Sequence, residues 1–452
     1  MKKLSTLILP LSALVLAGLA CTLLPGSPTP DPDDQIATSV AATLTAGGGN
    51  PTAIPEDGDP TQPPTETSPP ASPTPEPDLL QVAYVSDGEA WLWTEGSAST
   101  KLTSFGDVNR VVISDDGSRV AFVRQIDPAH QELWAVNADG SDPRSLITVS
   151  DLEGMSSHED AVSTLPAQLD WVPGTHTLAF NTRPTFEGPG YILANDLRLV
   201  DVDTAALSTL LAPGFGGEFH YAPDGSRIAL VVPDQISLID PDGTNRADVL
   251  SFPYIYTYSE YALYPRPVWQ TDSTGLRVVI PPQDPLGDPA ASTTVWDLPA
   301  DGSPPSTLFT MVTAPYFAHP PRLSPGGDQL AYLVQIGDPA DNNRELHTAA
   351  ADGSGDSIYA TGPLNFEAWS PDDAHFVFTE SGSNPRVGEI GAAPQPITGA
   401  VKIRDVSWIG DRRYLYLNRD GSSWELWLGS LDAPNALLAS SSGELISYDF
   451  TK

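Results

Sequence analysis

The sequence predicts an all-β fold, a single β-propeller of four-stranded blades, and three observations carry that prediction. A segment with two Asp-Gly turns recurs along the chain. Its copies follow at about 40 to 60 residues, the period of a four-stranded blade. The two ends of the repeat region complement one another. The clearest copy runs from Ser114 to Val123 (SDDGSRVAFV), continues through Glu132 to Gly140 (ELWAVNADG) and ends on Arg144-Ser145-Leu146-Ile147. A second, Tyr221 to Leu230 (YAPDGSRIAL), leads likewise to Ile236 to Gly243 (ISLIDPDG).

Each element of that unit has a physical reading. An Asp-Gly pair supplies the positive φ that a tight hairpin turn needs, so the first pair joins an inner strand to an alternating, half-buried second strand. A third strand carries the Leu-Trp pair, and the second Asp-Gly turn leads to the outer strand. One such sheet cannot bury both faces, so neighbouring copies must stack around an axis. Weaker copies centre on Trp171-Val172-Pro173-Gly174, Trp269-Gln270-Thr271-Asp272, Leu323-Ser324-Pro325-Gly326-Gly327, Trp369-Ser370-Pro371-Asp372-Asp373 and Trp408-Ile409-Gly410-Asp411. The first copy, Val82 to Val85, Ala90 to Trp93 and Lys101 to Ser104, lacks an inner strand, while Leu445 to Phe450 reads as an inner strand with nothing after it. Pairing the two ends closes the ring and gives eight blades, or seven if one weak copy is an insertion.

These repeats resemble the WD40-like propeller family that includes the C-terminal domain of TolB and the propellers of prolyl-oligopeptidase-type enzymes. The resemblance covers about residues 80–450, and its Ser-Pro-Asp-Gly-like and Asn-Ala-Asp-Gly-Ser elements imply a fold rather than an activity. The N-terminal α/β domain of TolB has no counterpart, which speaks against a role in the Tol system.

Three regions precede or make up this ring. Residues 1–20 read as a secretory signal peptide: Lys2-Lys3, an apolar run from Leu4 to Leu16, then Ala17, Gly18 and Ala20. Cys21, the single cysteine, lies where a bacterial lipoprotein carries its lipid, although Gly18 departs from the Leu, Val or Ile of the usual lipobox. Residues 21–78 form an acidic linker rich in Pro, Thr and Ser that buries too little apolar surface to offset ordering entropy. A short helix from Gln35 to Ala46 is possible there only against a partner. Residues 79–452 are the propeller. An exported chain, held to a membrane by its lipid alone, is therefore expected.

Charge and cysteine content narrow the function. Asp and Glu outnumber Lys and Arg 58 to 22, a net charge of −36, and nucleic-acid binding needs the opposite balance. One cysteine excludes internal disulfides and multi-cysteine metal sites. A propeller-linked serine peptidase needs a Gly-x-Ser-x-Gly elbow, and none occurs. His130, His158, His176, His220, His319, His347 and His375 are scattered without metal-ligand pairing. Asp240 to Asn245 and Asn137 to Asp142 resemble the start of a calcium loop but lack its remaining spacing. No cofactor is identified; a divalent cation such as calcium is compatible with the composition without a motif for it. Trp134, Trp171, Trp269, Trp369 and Trp408 fall inside strands and read as packing between blades.

Loop lengths select a face. In a meander the first and third turns lie on one face, and the second turn and the blade-to-blade connection on the other. The Asp-Gly turns belong to the first group and are short. The long segments, Gln125 to Gln131, Thr148 to Gln168, Asn181 to Asn195, Ser251 to Arg266, Pro281 to Thr293 and Gln335 to Arg344, belong to the second. One of them crowds Phe252, Tyr254, Tyr256, Tyr258, Tyr261 and Tyr264 together, with Glu260 and Arg266 beside them. Tyrosine gives amphipathic contact area at low entropic cost, so Tyr254, Tyr256, Tyr258, Tyr261, Tyr264 and Arg266 are the candidate ligand-binding residues; alternation at 254, 256 and 258 equally fits one face of an extended outer strand. The expectation is a monomeric, non-catalytic propeller that binds a protein, peptide or glycan. The rivals are a polysaccharide lyase or glycoside hydrolase using channel carboxylates, and a structural or sensory envelope module.

Overall fold

The computed structural model describes residues 79–452 apart from 157, 188–194, 289, 339–340, 443–444 and 452. The signal peptide, Cys21 and the linker lie outside the described residues. Eight four-stranded antiparallel sheets form a ring, which settles the blade count at eight. The innermost strands of blades 2 to 8 are Val108–Ile113, Ser163–Trp171, Glu218–Tyr221, Val268–Trp269, Arg322–Leu323, Leu364–Trp369 and Ile403–Ile409. Blade 1 is composite. Its strands Gln81–Ser86, Glu89–Thr94 and Thr100–Lys101 are completed by Tyr448–Phe450 from the other end of the chain, in the register Val82 to Phe450, Ala83 to Asp449 and Tyr84 to Tyr448.

The recurring Asp-Gly-Ser/Thr element has a local cause. The aspartate side chain accepts the backbone N–H two residues on, as Asp116 does from Ser118 at 3.0 Å, Asp139 from Ser141 at 2.8 Å, Asp242 from Thr244 at 3.0 Å and Asp352 from Ser354 at 2.9 Å. Such side-chain turns fold the backbone into a hairpin without tertiary help. The glycine then takes the left-handed conformation, with φ 68° at Gly117. The calcium-loop look-alikes at 137–142 and 240–245 are two of these turns.

Blades are held together by apolar side chains that meet between sheets. Ala121, Val123 and Leu133 of blade 2 share one cluster with Trp171, Leu178 and Phe180 of blade 3, and Trp269 joins Ala229, Ile236 and Leu238 of blade 4 to Leu276 and Val278 of blade 5. Two indoles also bond across the seam: Trp269 Nε1 donates to the His220 carbonyl and Trp369 Nε1 to the Arg322 carbonyl, each at 3.0 Å. The tryptophans therefore pack, as their strand positions implied.

Blade 3 departs from the repeat. Its first two strands, Ser163–Trp171 and Thr177–Thr185, have nine residues each and a bulge between Pro166 and Leu169, so sheet extends into the long segments 148–168 and 181–195 expected to be connections. Before it lies one helix, Val149–Met155, started by a capping box in which Thr148 and Asp151 satisfy each other's backbone. Leu152 and Met155 bury its inner side in the seam between blades 2 and 3.

Candidate functional site

The meander places the turns around Gly117, Gly140, Gly225 and Gly243 on one face, and on the other the connections 126–130 and 252–267 with the described residues of those between Ile147 and Ser163, Ile280 and Ser292, and Gln335 and Arg344. On the axis lies a cavity of about 910 Å³, bounded by the innermost strands of blades 1 to 4 and by the approach to blade 5. Its walls carry Arg110, Asp170, Arg183, Glu218, His220, Arg266 and Asp449.

Each side chain is there for a traceable reason. Glu218 and His220 are two residues apart on one strand, so both point to the axis while Phe219 points into the blade and is fully buried. Gly216 and Gly217, just before them, allow that strand to lie against blade 3: Asn181 Nδ2 donates to the Gly217 carbonyl at 2.8 Å, and Gln168 pairs with both backbone groups of Phe219. Arg110 is pinned by the Ala167 carbonyl at 2.6 Å. Asp449 accepts the Ile113 N–H at 2.8 Å, so the closing strand also builds the cavity wall. Arg183 comes from the extended hairpin of blade 3, paired opposite Leu165. Arg266 stands between Pro265 and Pro267 at the end of the tyrosine-rich connection.

Low access to water sets the electrostatics. Burial pushes the Glu218 carboxyl up to about 7 against the attraction of Arg266, and burial with the field of Arg266 pushes His220 down to about 4. Burial lowers Arg110 to about 10, and repulsion from Arg183 adds to it. Burial thus favours the neutral form of both the imidazole and the carboxyl beside the arginine charges. The His220 Nε2 is buried without a hydrogen-bond partner among the described residues.

The tyrosines divide. Tyr256, Tyr258 and Tyr261 are 47%, 68% and 49% exposed, and the Tyr258 hydroxyl donates to Asp284 at 2.9 Å. Tyr254 is half-buried, and Tyr264 packs against the cluster between blades 4 and 5. Residues 252–260 form no strand, so their alternation does not mark an outer strand; Phe252 and Ile255 are the side chains this connection buries. Arg266 is the one sequence-derived candidate on the cavity wall. Sequence reasoning missed Arg110, Arg183, Glu218 and His220, which lie in three separate stretches of chain; only the placement of Glu218 and His220 just before the Ala-Pro-Asp-Gly turn marks them as inner-strand residues.

The short-loop face holds a different array. His176 Nδ1 lies 2.8 Å from Asp203, its Nε2 lies 3.1 Å from the Ser118 hydroxyl, and Asp116 sits 3.0 Å from the same Nε2. The first two contacts have the spacing of a Ser-His-Asp triad. Asp116 removes that chemistry, because an imidazole flanked by two carboxylates keeps both protons and cannot act as a base. Hydrogen bonds to Asp203 and then Asp116 raise the His176 pKa. Asp116, against the cost of its partial burial, is held well below the carboxylate range by Ser114, Ser118 and His176, and Asp203 is lowered by His176. The array is a clamp between blades 2 and 3, and its pH dependence has a definite sign. The histidine contribution is complete below its ordinary value of 6.5 and is lost as pH rises through the raised value; the carboxylate contributions are complete above 3.8 and are lost as pH falls through the lowered values. All three groups are partly exposed, so the clamp is worth about 1 kcal/mol or less. His176→Gln is expected to lower the thermal midpoint at pH 5.5 and to leave it nearly unchanged at pH 9; an equal loss at both would contradict the protonated clamp.

Similar solved structures include a prolyl endopeptidase, 13% identical over 76% of this chain and 50% of that one with a TM-score of 0.51. Dipeptidyl peptidase 4 of Porphyromonas gingivalis is 10% identical over 78% of this chain and 56% of that one, also with a TM-score of 0.51. TolB from Acinetobacter baumannii is 14% identical over 60% and 61% with a TM-score of 0.33. The chain spans about half the length of the two peptidases. No protein-family model matches it, and no curated protein does. At these identities the likeness is one of fold, and the fold it shows is the β-propeller.

Proposed function

We propose that this chain is a cell-envelope lipoprotein, anchored through Cys21 and spaced from the membrane by residues 21–78, whose propeller binds a ligand on its long-loop face without transforming it. One observation carries the reading: an axial cavity of about 910 Å³ whose Arg183, Glu218 and Arg266 make no ion pair or hydrogen bond among the described residues. Glu218 is half-buried while Arg183 and Arg266 stand exposed at the cavity wall; a partly buried carboxyl is costly unless something satisfies it, and a pocket with a few convergent polar groups is where proteins hold small molecules or chain ends. The connection that delivers Arg266 also exposes Tyr256, Tyr258 and Tyr261, which supports a ligand that extends beyond the cavity across an aromatic surface.

Glycan and peptide arrays probed with the purified full chain test this. Capture of a defined ligand is expected, and Tyr256→Ala/Tyr258→Ala/Tyr261→Ala is expected to weaken it about tenfold or more while moving the thermal midpoint little. Absence of capture together with turnover of a polysaccharide panel would replace the reading with an enzymatic one. The anchor is tested separately: Cys21→Ser should shift the chain from the detergent phase to the aqueous phase.

A further inference from the structure

We propose that the axial cavity binds a small organic carboxylate that also carries hydroxyl groups, a sugar acid or other hydroxy acid, with Arg183 and Arg266 gripping the carboxylate and Glu218 and His220 receiving the hydroxyls. This rests on the recognition reading above and names the chemistry of its deepest contact.

The first support is the placement of positive charge. The chain has 22 basic residues against 58 acidic ones, so a carboxylate partner is never scarce. Many basic side chains take one: Arg119 with Asp203, Arg198 with Asp196, Arg277 with Asp297, Arg412 with Asp432. Arg183 and Arg266 have no carboxylate in contact among the described residues, although Asp170, Glu218 and Asp449 share the same walls. Both guanidinium groups are exposed on the cavity wall, and an open guanidinium fork matches a carboxylate in two parallel hydrogen bonds.

The second support fixes the rest of the ligand. Three acidic side chains on the walls, Asp170, Glu218 and Asp449, disfavour a multiply charged anion, because each added negative charge is repelled by them. A single carboxylate balances the arginines without that conflict. The Glu218 side chain makes no hydrogen bond among the described residues, and His220 lines the same wall with its Nε2 shut off from solvent, so a carboxyl faces the cavity beside an imidazole ring. Hydroxyls serve both, since one hydroxyl donates and accepts. The amide side chains of the lining are already used: Gln168 on Phe219, Asn181 on Gly217 and Gln168, and Asn109 and Gln131 on Gln125.

Isothermal titration of the purified full chain with D-glucuronate, D-glucose, L-lactate and inorganic phosphate decides the matter. Saturable binding of D-glucuronate is expected, with D-glucose and phosphate at least about tenfold weaker, the factor that losing one hydrogen bond to a charged group carries. Arg183→Gln and Arg266→Gln should each weaken D-glucuronate about tenfold or more with the thermal midpoint unchanged, and Arg266→Lys should keep part of the affinity. Lactate matching glucuronate would assign the site to simple hydroxy acids, and lactate binding more weakly would assign it to sugar acids; either supports the proposal. Glucose or phosphate binding as tightly as glucuronate, no glucuronate binding, or unchanged affinity in both glutamine variants and in Arg266→Lys would overturn it. Array capture that survives the arginine changes but fails in the tyrosine variant would leave the recognition reading standing and remove only the carboxylate. Loss of both would remove the reading as well.

Discussion

Deleting residues 446–452 is expected to abolish cooperative folding of the propeller or to lower its stability by more than about 5 kcal/mol, on the scale of a whole domain's net stability. The deleted strand is the inner wall of blade 1. The Val85 N–H donates to the Ser447 carbonyl at 2.8 Å and the Thr451 N–H to the Gln81 carbonyl at 3.0 Å. Ile446 is 2% exposed in a cluster with Val82, Tyr84, Leu415 and Leu426, and losing a buried isoleucine alone costs about 2–5 kcal/mol. Asp449 holds the Ile113 N–H of blade 2, and the Tyr448 hydroxyl donates to Ser407 of blade 8 at 3.2 Å, so one short strand ties three blades. Its removal also leaves Gln81–Ser86 as a bare edge open to association. Thermal and urea unfolding of the truncated and full chains measure the effect, and an unchanged midpoint would show that the ring does not depend on its closure.

Gly216→Ala is the second large expected effect, about 3 kcal/mol or more of destabilisation together with a damaged axial site. A Cβ at this position would stand 2.3 Å from the backbone carbon and oxygen of Asp196 and 2.6 Å from its Cα. Backbone cannot rotate away as a side chain can, so blades 3 and 4 must part. Asp196 is fully buried and accepts the Thr182 N–H at 2.7 Å and Arg198 Nε at 2.8 Å; shifting it disturbs a buried charged network, the kind whose disruption costs most. Glu218 and His220 follow directly on the displaced segment. Gly154→Ala is the control, because nothing lies within 4 Å of its added Cβ and it sits in the helix, where alanine is favoured by about 1 kcal/mol. Melting curves of the two variants should move in opposite directions, and equal behaviour would contradict the close approach at Gly216.

The repeat was legible because its signals are local. An Asp-Gly-Ser/Thr turn bonds to itself over three residues, and alternating apolar strands announce which side they bury, so the blade could be read from each copy alone. The helix Val149–Met155 was legible in principle from Thr148 and Asp151, yet it lies inside a segment whose length suggested only connection. The tyrosines illustrate the limit of a composition argument: six aromatic residues crowd one connection, but the structure turns Phe252 and Tyr264 into the core and exposes Tyr256, Tyr258 and Tyr261.

By itself the sequence determined the blade, the closing of the ring by its last strand and the division into a short-loop and a long-loop face, because each follows from turn chemistry and strand alternation within a few residues. Only the tertiary structure decided that the blades number eight and that Arg110, Arg183, Glu218, His220 and Arg266 meet in one cavity. Those residues come from different blades, and what brings them together is the packing of sheets around an axis, a long-range consequence of buried apolar surface that no single stretch of the chain contains.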